Sequence, residues 1–439
     1  MLLTVRQPLS RQLRFRFAAE LGELLTGYLD WCRAGGTERV VRRRGVVDRY
    51  REAPQLIVPN RGGVGFLSLL GRSTRLRRTS GPHAVNPVVP VLGSWLSWLA
   101  DMAELPGSSL LLDLCGELTG QWASGQSEAE DLHLGSLLAW IAPPAGLDGA
   151  RAAELAEDPW RCPPAGPATN PDFDRRLAEL ITVYSRARQE RVRDAAGLRI
   201  DRALRAQLEP TWQLVWQGID LLGSVVPGAR VARRWDRDRD AFTHRDRYLL
   251  AGGMPQPRRE RAAGAARRLA RLEDAKARFE FDRALDDPLV LAEHELSGDA
   301  FSGTVAAVEA DRTVPGAGPR ARPKLRPLVT LRLAHCQAAR LDAHYVSPGR
   351  QGQQAVLLAV RANPDGMFDV DLELSGGLGR GRTPVPGSVP QCGEWLTYIR
   401  HEPYIPPADF PDESQVPWTH GGPAAPFRPT DADAGENWE

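Results

Sequence analysis

Five side chains in the last third of the chain could do chemistry if they met: His335, Cys336, His344, Cys392 and His401. A thiol beside an imidazole can be activated as a nucleophile, and three or four such groups can hold a metal ion. His335 and Cys336 are adjacent, however, and neighbours on a strand point to opposite faces, so both are not expected in one site. Glu128, Glu130 and Asp131 form an acidic cluster. There, Ser127 and Glu130 have the spacing of a capping box, which accounts for Glu130 without catalysis. The chain has no Gly-x-Ser-x-Gly elbow and no His-Glu-x-x-His helix. No catalytic residue, metal set or cofactor site is assigned on these motifs, and a non-enzymatic protein is expected.

Anion binding is the next chemistry to consider. Val58-Pro59-Asn60-Arg61-Gly62-Gly63-Val64-Gly65-Phe66 is a glycine loop ahead of an apolar run. Such a loop can aim backbone N–H groups at an anion where a helix starts. It lacks the Gly-Lys-Ser/Thr ending of a nucleotide loop and follows no clear strand, so a plain loop entering a helix is expected. The arginines are clustered. Arg42, Arg43 and Arg44 stand in a row, and Arg75, Arg77 and Arg78 follow the glycine loop. Residues 1–90 hold 16 arginines against 6 acidic side chains, and residues 91–174 hold 13 acidic side chains against 2 arginines. The first block is either an anion-binding face or the complement of the second block.

A third cluster, Arg258, Arg259, Arg261, Arg267, Arg268 and Arg271, lies in the first half of a helix expected from Pro255 and Pro257 to about Leu285. Cations near a helix N-terminus oppose its macrodipole, so an acidic partner or phosphate should compensate. The candidate interaction residues are therefore Arg42, Arg43, Arg44, Arg75, Arg77, Arg78, Arg258, Arg259, Arg267, Arg268 and Arg271. By contrast, Arg233-Arg234-Trp235-Asp236-Arg237-Asp238-Arg239-Asp240 neutralises itself and predicts a solvated helix face.

Composition limits the partners. The 439 residues carry 56 basic and 55 acidic side chains, a formal net charge of +1, so no global field favours nucleic acid or a membrane. Arginine far outnumbers lysine, so arginine count alone does not signal phosphate recognition. The five cysteines are scattered and never spaced as Cys-x-x-Cys, which argues against a disulfide framework or zinc ribbon and fits a reducing cytoplasm. No signal-peptide pattern opens the chain and no apolar run is long enough to cross a bilayer.

The elements that would position these residues are mostly helices. Leu21, Leu24, Leu25, Tyr28, Leu29 and Cys32 recur at helical spacing. So do Leu92, Trp95, Leu96, Leu99 and Met102, then Leu111, Leu114, Cys115, Leu118 and Trp122. The capping box at Ser127 opens a helix through Ile141. A helical bundle over 1–142 is expected, followed by a Pro/Gly-rich linker over 143–170 with one short helix at Ala150–Glu157. Asn170-Pro171 caps the next helix. A further helix sets Trp212, Val215, Trp216, Ile219 and Leu222 on one side. These helices make a second helical region, 171–288.

From Leu296 to Glu402 the pattern changes. Phe368-Asp369-Val370-Asp371-Leu372-Glu373-Leu374 alternates with period two, and Asn363-Pro364-Asp365-Gly366 supplies a turn after Ala355–Val360. Other strands are expected at Phe301–Ala310, Leu328–Leu333 and Glu394–Arg400, giving an all-β unit over 289–404. With its closing Pro390 to Tyr398 run, including Gly393 and Glu394, this unit resembles an OB-like barrel. It also resembles the β-barrel modules of some superfamily 1 helicases. That resemblance implies single-strand binding on stacked aromatics and a basic groove. Asp369, Asp371 and Glu373 would repel phosphate, so such a groove is expected near Arg326, Arg332, Arg340, Arg350 and Arg361. Residues 405–439, acidic and rich in Pro and Gly, read as a disordered tail that Trp418 and Phe427 could dock.

The expected fold class is thus α+β, a mainly helical N-terminal region followed by a small OB-like barrel and an acidic tail. The expected function is a cytoplasmic accessory or adaptor protein with a protein partner. Nucleic acid is a candidate ligand, shared with a partner helicase or nuclease. The alternatives are a self-assembling structural protein and an enzyme whose residues are not recognisable.

Overall fold

A computed structural model describes residues 2–42, 45–163, 170–258, 260–315, 323–335, 339–348, 350, 352–379, 381, 383–400 and 415. The expected acidic tail lies outside them, apart from Gln415. The chain divides into two compact units. The first takes in residues up to Pro227 and Val231–Ala265, and the second takes in Gly228–Arg230 and the described residues from Ala266.

The first unit opens with α1 (Arg11–Ala34), whose N-cap Ser10 accepts from the Leu13 N–H. A hairpin follows, β1 (Thr37–Arg42) and β2 (Gly45–Tyr50), then β3 (Leu56–Val58), α2 (Arg61–Thr74), α3 (Val88–Ala103) and β4 (Leu111–Asp113). These short strands stand among the mainly helical elements expected ahead of the barrel. β1 and β2 are antiparallel, with Val40 opposite Val47 and Val41 opposite Val46. β3 and β4 are parallel, Leu56 facing Leu111. Each is only three residues long, too short for a period to declare itself.

α4 (Leu114–Thr119), α5 (Glu128–Asp131), α6 (Leu134–Ile141) and α7 (Gly149–Glu157) come next. The capping box at Ser127 and Glu130 forms, but the helix it opens is a single turn. α6 then starts afresh from His133, whose ring accepts the Ser136 N–H. Within the expected linker, α7 packs on α6 and buries Ala152 and Ala153. α8 (Pro171–Arg186) is capped by Asn170 with proline at its start, as expected. α9 (Glu190–Gly223) runs unbroken through Pro210, and α10 (Val231–Leu250) closes the core.

That core joins Phe15, Leu25 and Leu29 of α1, Leu70 of α2, Val89, Leu92, Trp95 and Leu99 of α3, Leu111 of β4 and Phe242 of α10. Trp95 and Tyr50 both pack against Phe242, with ring centroids 5.7 and 5.4 Å away. α2 and α3 approach closely because both contact points are glycines. A Cβ on Gly71 would lie 2.6 Å from the Ser97 nitrogen, and one on Gly93 would collide with the Arg75 backbone. A smaller cluster joins Leu114, Leu118, Leu134, Leu137 and Leu138 to Leu214 and Leu221 of α9.

α11 (Ala262–Asp286) starts several residues later than the prolines predict, and the division between the units falls within it. α12 (Pro288–Ser297) follows, ending in a left-handed Gly298. The strands of the second unit are β5 (Ala300–Glu309), β6 (Thr313–Val314), β7 (Lys324–Leu325), β8 (Leu328–Leu333), β9 (His344–Val346), β10 (Gln354–Ala362), β11 (Phe368–Ser375) and β12 (Trp395–Arg400). Six of them close an antiparallel barrel in the order β10-β11-β8-β5-β12-β9. The hairpin expected at Gly366 is β10–β11, with φ +80° at that glycine. Bulges in β5 and β10 bend the strands enough for closure. Phe301, Val305, Leu331, Tyr345, Leu357, Leu372 and Tyr398 are among the side chains that fill the interior, which leaves a packed core rather than a channel.

Candidate interaction surface

The arginine clusters expected to meet an anion divide by environment. Arg75 is buried. Its Nε donates to the Gln256 carbonyl (2.8 Å), its Nη2 to the Pro257 carbonyl (2.9 Å) and its Nη1 to Ser97 Oγ (3.2 Å). Burial holds its pKa below the ordinary arginine value, helped by repulsion from Arg72 and Arg258. Arg75 thus reaches the segment just ahead of Arg258, where it acts as a strut before α11. Arg77 is also buried, donating to the Ser73 carbonyl and lying 5.3 Å from the Phe15 ring centroid. Arg78 is half-buried. Arg42 is exposed on β1 and pairs with Asp240. Arg43, Arg44 and Arg259 lie outside the described residues. Arg258 is exposed, as are Arg267, Arg268 and Arg271 on α11.

The alternating Arg/Asp stretch is not a solvated face, which corrects the expectation. Asp238, Phe242, Arg245 and Asp246 recur on one side of α10, and that side is buried. Asp246 Oδ1 accepts from Arg33 Nη2 at 2.6 Å and Oδ2 from the Tyr50 hydroxyl at 2.9 Å. Asp238 Oδ2 accepts the Ser109 N–H and hydroxyl at 2.7 and 2.8 Å, and burial pushes its carboxyl pKa up. Arg245 donates to the Ser94 carbonyl, with its pKa lowered by burial. On the outer edge Asp236 pairs with Arg49 and Arg239, both of which also reach Glu38.

On the barrel, the acidic side chains of β11 pair with arginines from β8, β10 and the loops, most of them arginines expected to line a separate groove. Asp371 binds Arg361 through two contacts and Thr330 through a third, and the Arg361 hydrogen bonds hold its carboxyl below the usual range. Asp369 pairs with Arg332, Glu373 with Arg312 and Arg326, and Glu394 with Arg350. The Arg340 N–H donates to the Tyr345 hydroxyl. Cys336 and His401 lie outside the described residues. Among the described residues no group of His, Cys, Asp and Glu is arranged to hold a metal ion. No described helix is long and apolar enough to cross a membrane.

The glycine loop does follow a strand. β3 leads through Pro59 and Asn60 into α2, whose first turn has neither an acidic residue nor a side-chain cap. Asn60 Nδ2 donates instead to the Leu132 carbonyl at 3.0 Å.

A further surface lies on α9. Trp212 and Trp216 are 62% and 50% exposed, while Val215, Ile219 and Leu222 of the same stripe are half-buried. Their rings meet edge to face with centroids 5.8 Å apart. They line an open depression of about 560 Å³ with Gln213, Gln217, Asp220, Leu221 and Ser224. The opposite side of α9 packs inward through Leu214 and Gly218. A Cβ on Gly218 would lie 2.8 Å from Leu114 Cδ2, so glycine sets the approach to α4. Two large aromatic rings held in water lose contact area that a partner could supply. Comparisons with protein-family models, curated proteins and solved structures return no match to this chain.

Proposed function

We propose that this chain is a non-catalytic accessory or adaptor protein that docks another protein through the Trp212–Trp216 face of α9. The exposure of that indole pair carries the reading. Tryptophan is enriched among residues that dominate binding energy, and a rigid aromatic pair loses little entropy on being covered. The charge network supports it from the other side, because Arg75, Arg77, Arg326, Arg332, Arg350 and Arg361 bind groups of the chain itself. Co-purification of the full chain with its cellular partner tests the proposal. Trp212→Ala with Trp216→Ala should abolish capture while the protein stays folded. Undiminished capture by the double variant would remove α9 from the docking surface.

Nucleic acid is the second reading, favoured by Arg267, Arg268 and Arg271 on the exposed face of α11. It takes the barrel as OB-like and a helicase or nuclease as partner in the cytoplasm. An OB fold has five strands, whereas this barrel closes with six. Binding through those arginines should weaken steeply with salt. A titration at low salt with no measurable affinity ends this reading.

A further inference from the structure

The charges flanking the tryptophans specify what the stripe fits. At 100° per residue, Arg202, Arg205, Glu209, Trp212, Trp216 and Asp220 fall on one side of α9, and all six are exposed. Followed from the N-terminal end, that side is basic at Arg202 and Arg205, aromatic at its centre and acidic at Asp220. Glu209 stands between the basic and aromatic parts. Asp201, beside Arg205, is already held by Arg6 Nη2 at 2.6 Å. A face with this order is complementary to its own reverse.

We infer that a second copy of this chain docks on α9, the two helices running antiparallel about a twofold axis between Trp212 and Gln213. This rests on the reading of the indole face as a docking surface and names its occupant. In that register Arg205 faces the second copy's Asp220, and the symmetry repeats the pair at the other end. Glu209 falls opposite the second copy's Trp216, one turn from its Gln213 amide. The two Trp212 indoles meet at the axis, each Trp216 covers the stem of the second copy's Glu209, and each copy contributes the same patch, as a twofold interface requires. From Arg202 to Asp220 the stripe is about 27 Å long at 1.5 Å per residue. A single helix pair of that length covers less than the roughly 800 Å² per partner of a standard stable interface. Association is therefore expected in the micromolar range and to weaken with salt.

Sedimentation equilibrium of the full chain at low salt, across micromolar concentrations, tests the inference. The wild type should pass from monomer to dimer. Trp212→Ala with Trp216→Ala should weaken dimerisation by about a hundredfold or more, because each change counts twice in a symmetric interface. Arg205→Glu alone and Asp220→Arg alone should each weaken it about tenfold or more, and the two together should restore it. All of these positions are exposed, so circular dichroism should show wild-type folding. A wild type that stays monomeric overturns the inference, as does a charge exchange that fails to restore the dimer. If the wild type is monomeric yet the tryptophan variant loses the co-purifying partner, self-pairing is wrong and the adaptor reading survives. If the tryptophan variant changes neither, both are wrong.

Discussion

Replacing Asp246 by alanine should destabilise the first unit by about 3 kcal/mol. The Asp246 side chain is wholly buried, and its oxygens accept from Arg33 Nε at 3.1 Å, Arg33 Nη2 at 2.6 Å and the Tyr50 hydroxyl at 2.9 Å. Removing one partner of a fully buried ion pair costs roughly 3–5 kcal/mol, because the other charge is stranded. The Arg33 side chain is 26% exposed and keeps Asp30, so its share falls to about 2 kcal/mol. The Tyr50 hydroxyl, left without its acceptor, adds about 1 kcal/mol. For a unit of this size each kcal/mol moves Tm by about 2–4 °C, so the loss should be roughly 6–12 °C. Near-UV circular dichroism can follow it, since Trp95 and Tyr50 pack on Phe242 in the same core. Asp240→Ala is the contrast. Its pair with Arg42 is 45% and 38% exposed and its second contact, to Arg49, is long at 3.7 Å and leaves Arg49 with Glu38 and Asp236, so its loss should cost at most about 1 kcal/mol. If Asp246→Ala lowers Tm no further than Asp240→Ala, the buried network does not hold α10 to α1 and β2, and the reasoning fails.

Other outcomes follow from the same geometry. Arg75→Ala should cost about 2–4 kcal/mol in denaturant unfolding, by stripping donors from two carbonyls and Ser97, while anion affinity stays unchanged. Burial raises the Asp238 pKa above its unfolded value, so its contribution to stability is full at acid pH and is lost as pH rises through the folded value. Asp238→Asn keeps an acceptor for Ser109, so it should be at least as stable as wild type near neutrality, with the difference vanishing in acid. Denaturant titrations across pH would show this. Asp371 shifts the opposite way, held down chiefly by its Arg361 hydrogen bonds, so its contribution is present above the ordinary carboxylate range and lost as pH falls through the lowered value. Asp371→Asn should make the barrel less acid-sensitive, by under about 1 kcal/mol because Arg361 is half-exposed. Reversing the charge of Arg267, Arg268 and Arg271 should abolish any salt-sensitive nucleic-acid binding, and affinity that survives the reversal would place the anion site elsewhere. A drop in Tm of several degrees would show those arginines to be structural.

The barrel was legible because β11 alternates strictly and Gly366 marks its turn. Each unit of that signal is local, and closure adds only the bulges in β5 and β10. The β1–β2 hairpin was hidden behind its own arginines. Val40-Val41 pair with Val46-Val47, and Gly45 opens β2 with a positive φ, a hairpin signal that the charge of Arg42 to Arg44 outweighs in the sequence. On α10 the one-residue alternation of sign masked a four-residue period of buried groups. On α9 both sides are apolar, so periodicity alone could not choose between them. The discriminating residue was Gly218, because a bare backbone marks the side that comes closest to another element. No sequence rule fixed the partners of Arg75, since two of its acceptors are main-chain carbonyls some 180 residues away.

The parallel pair β3–β4 is the feature that presses hardest on the adaptor reading. Parallel strands that both run into helices at one edge form the place where α/β proteins put ligands. Here α2 leaves that edge after β3, and α4 leaves it after β4. Such an edge serves a ligand when its N–H groups and side chains point into open space together. At this one several of them are engaged by the chain itself. Asp113 Oδ1 accepts the Gly116 N–H at 2.6 Å, the Pro59 carbonyl accepts from Cys115 at 3.3 Å, and the Asn60 amide is turned to Leu132. The Gly63 N–H donates to the Asn60 carbonyl at 2.9 Å. A Cβ on Gly63 would lie 2.7 Å from Val58, so this glycine allows the turn to fold back on its own strand. The edge thus joins two short strands to their helices through internal hydrogen bonds. An exposed pair of indoles in ring contact stands on α9 instead, and that supports the proposed docking role.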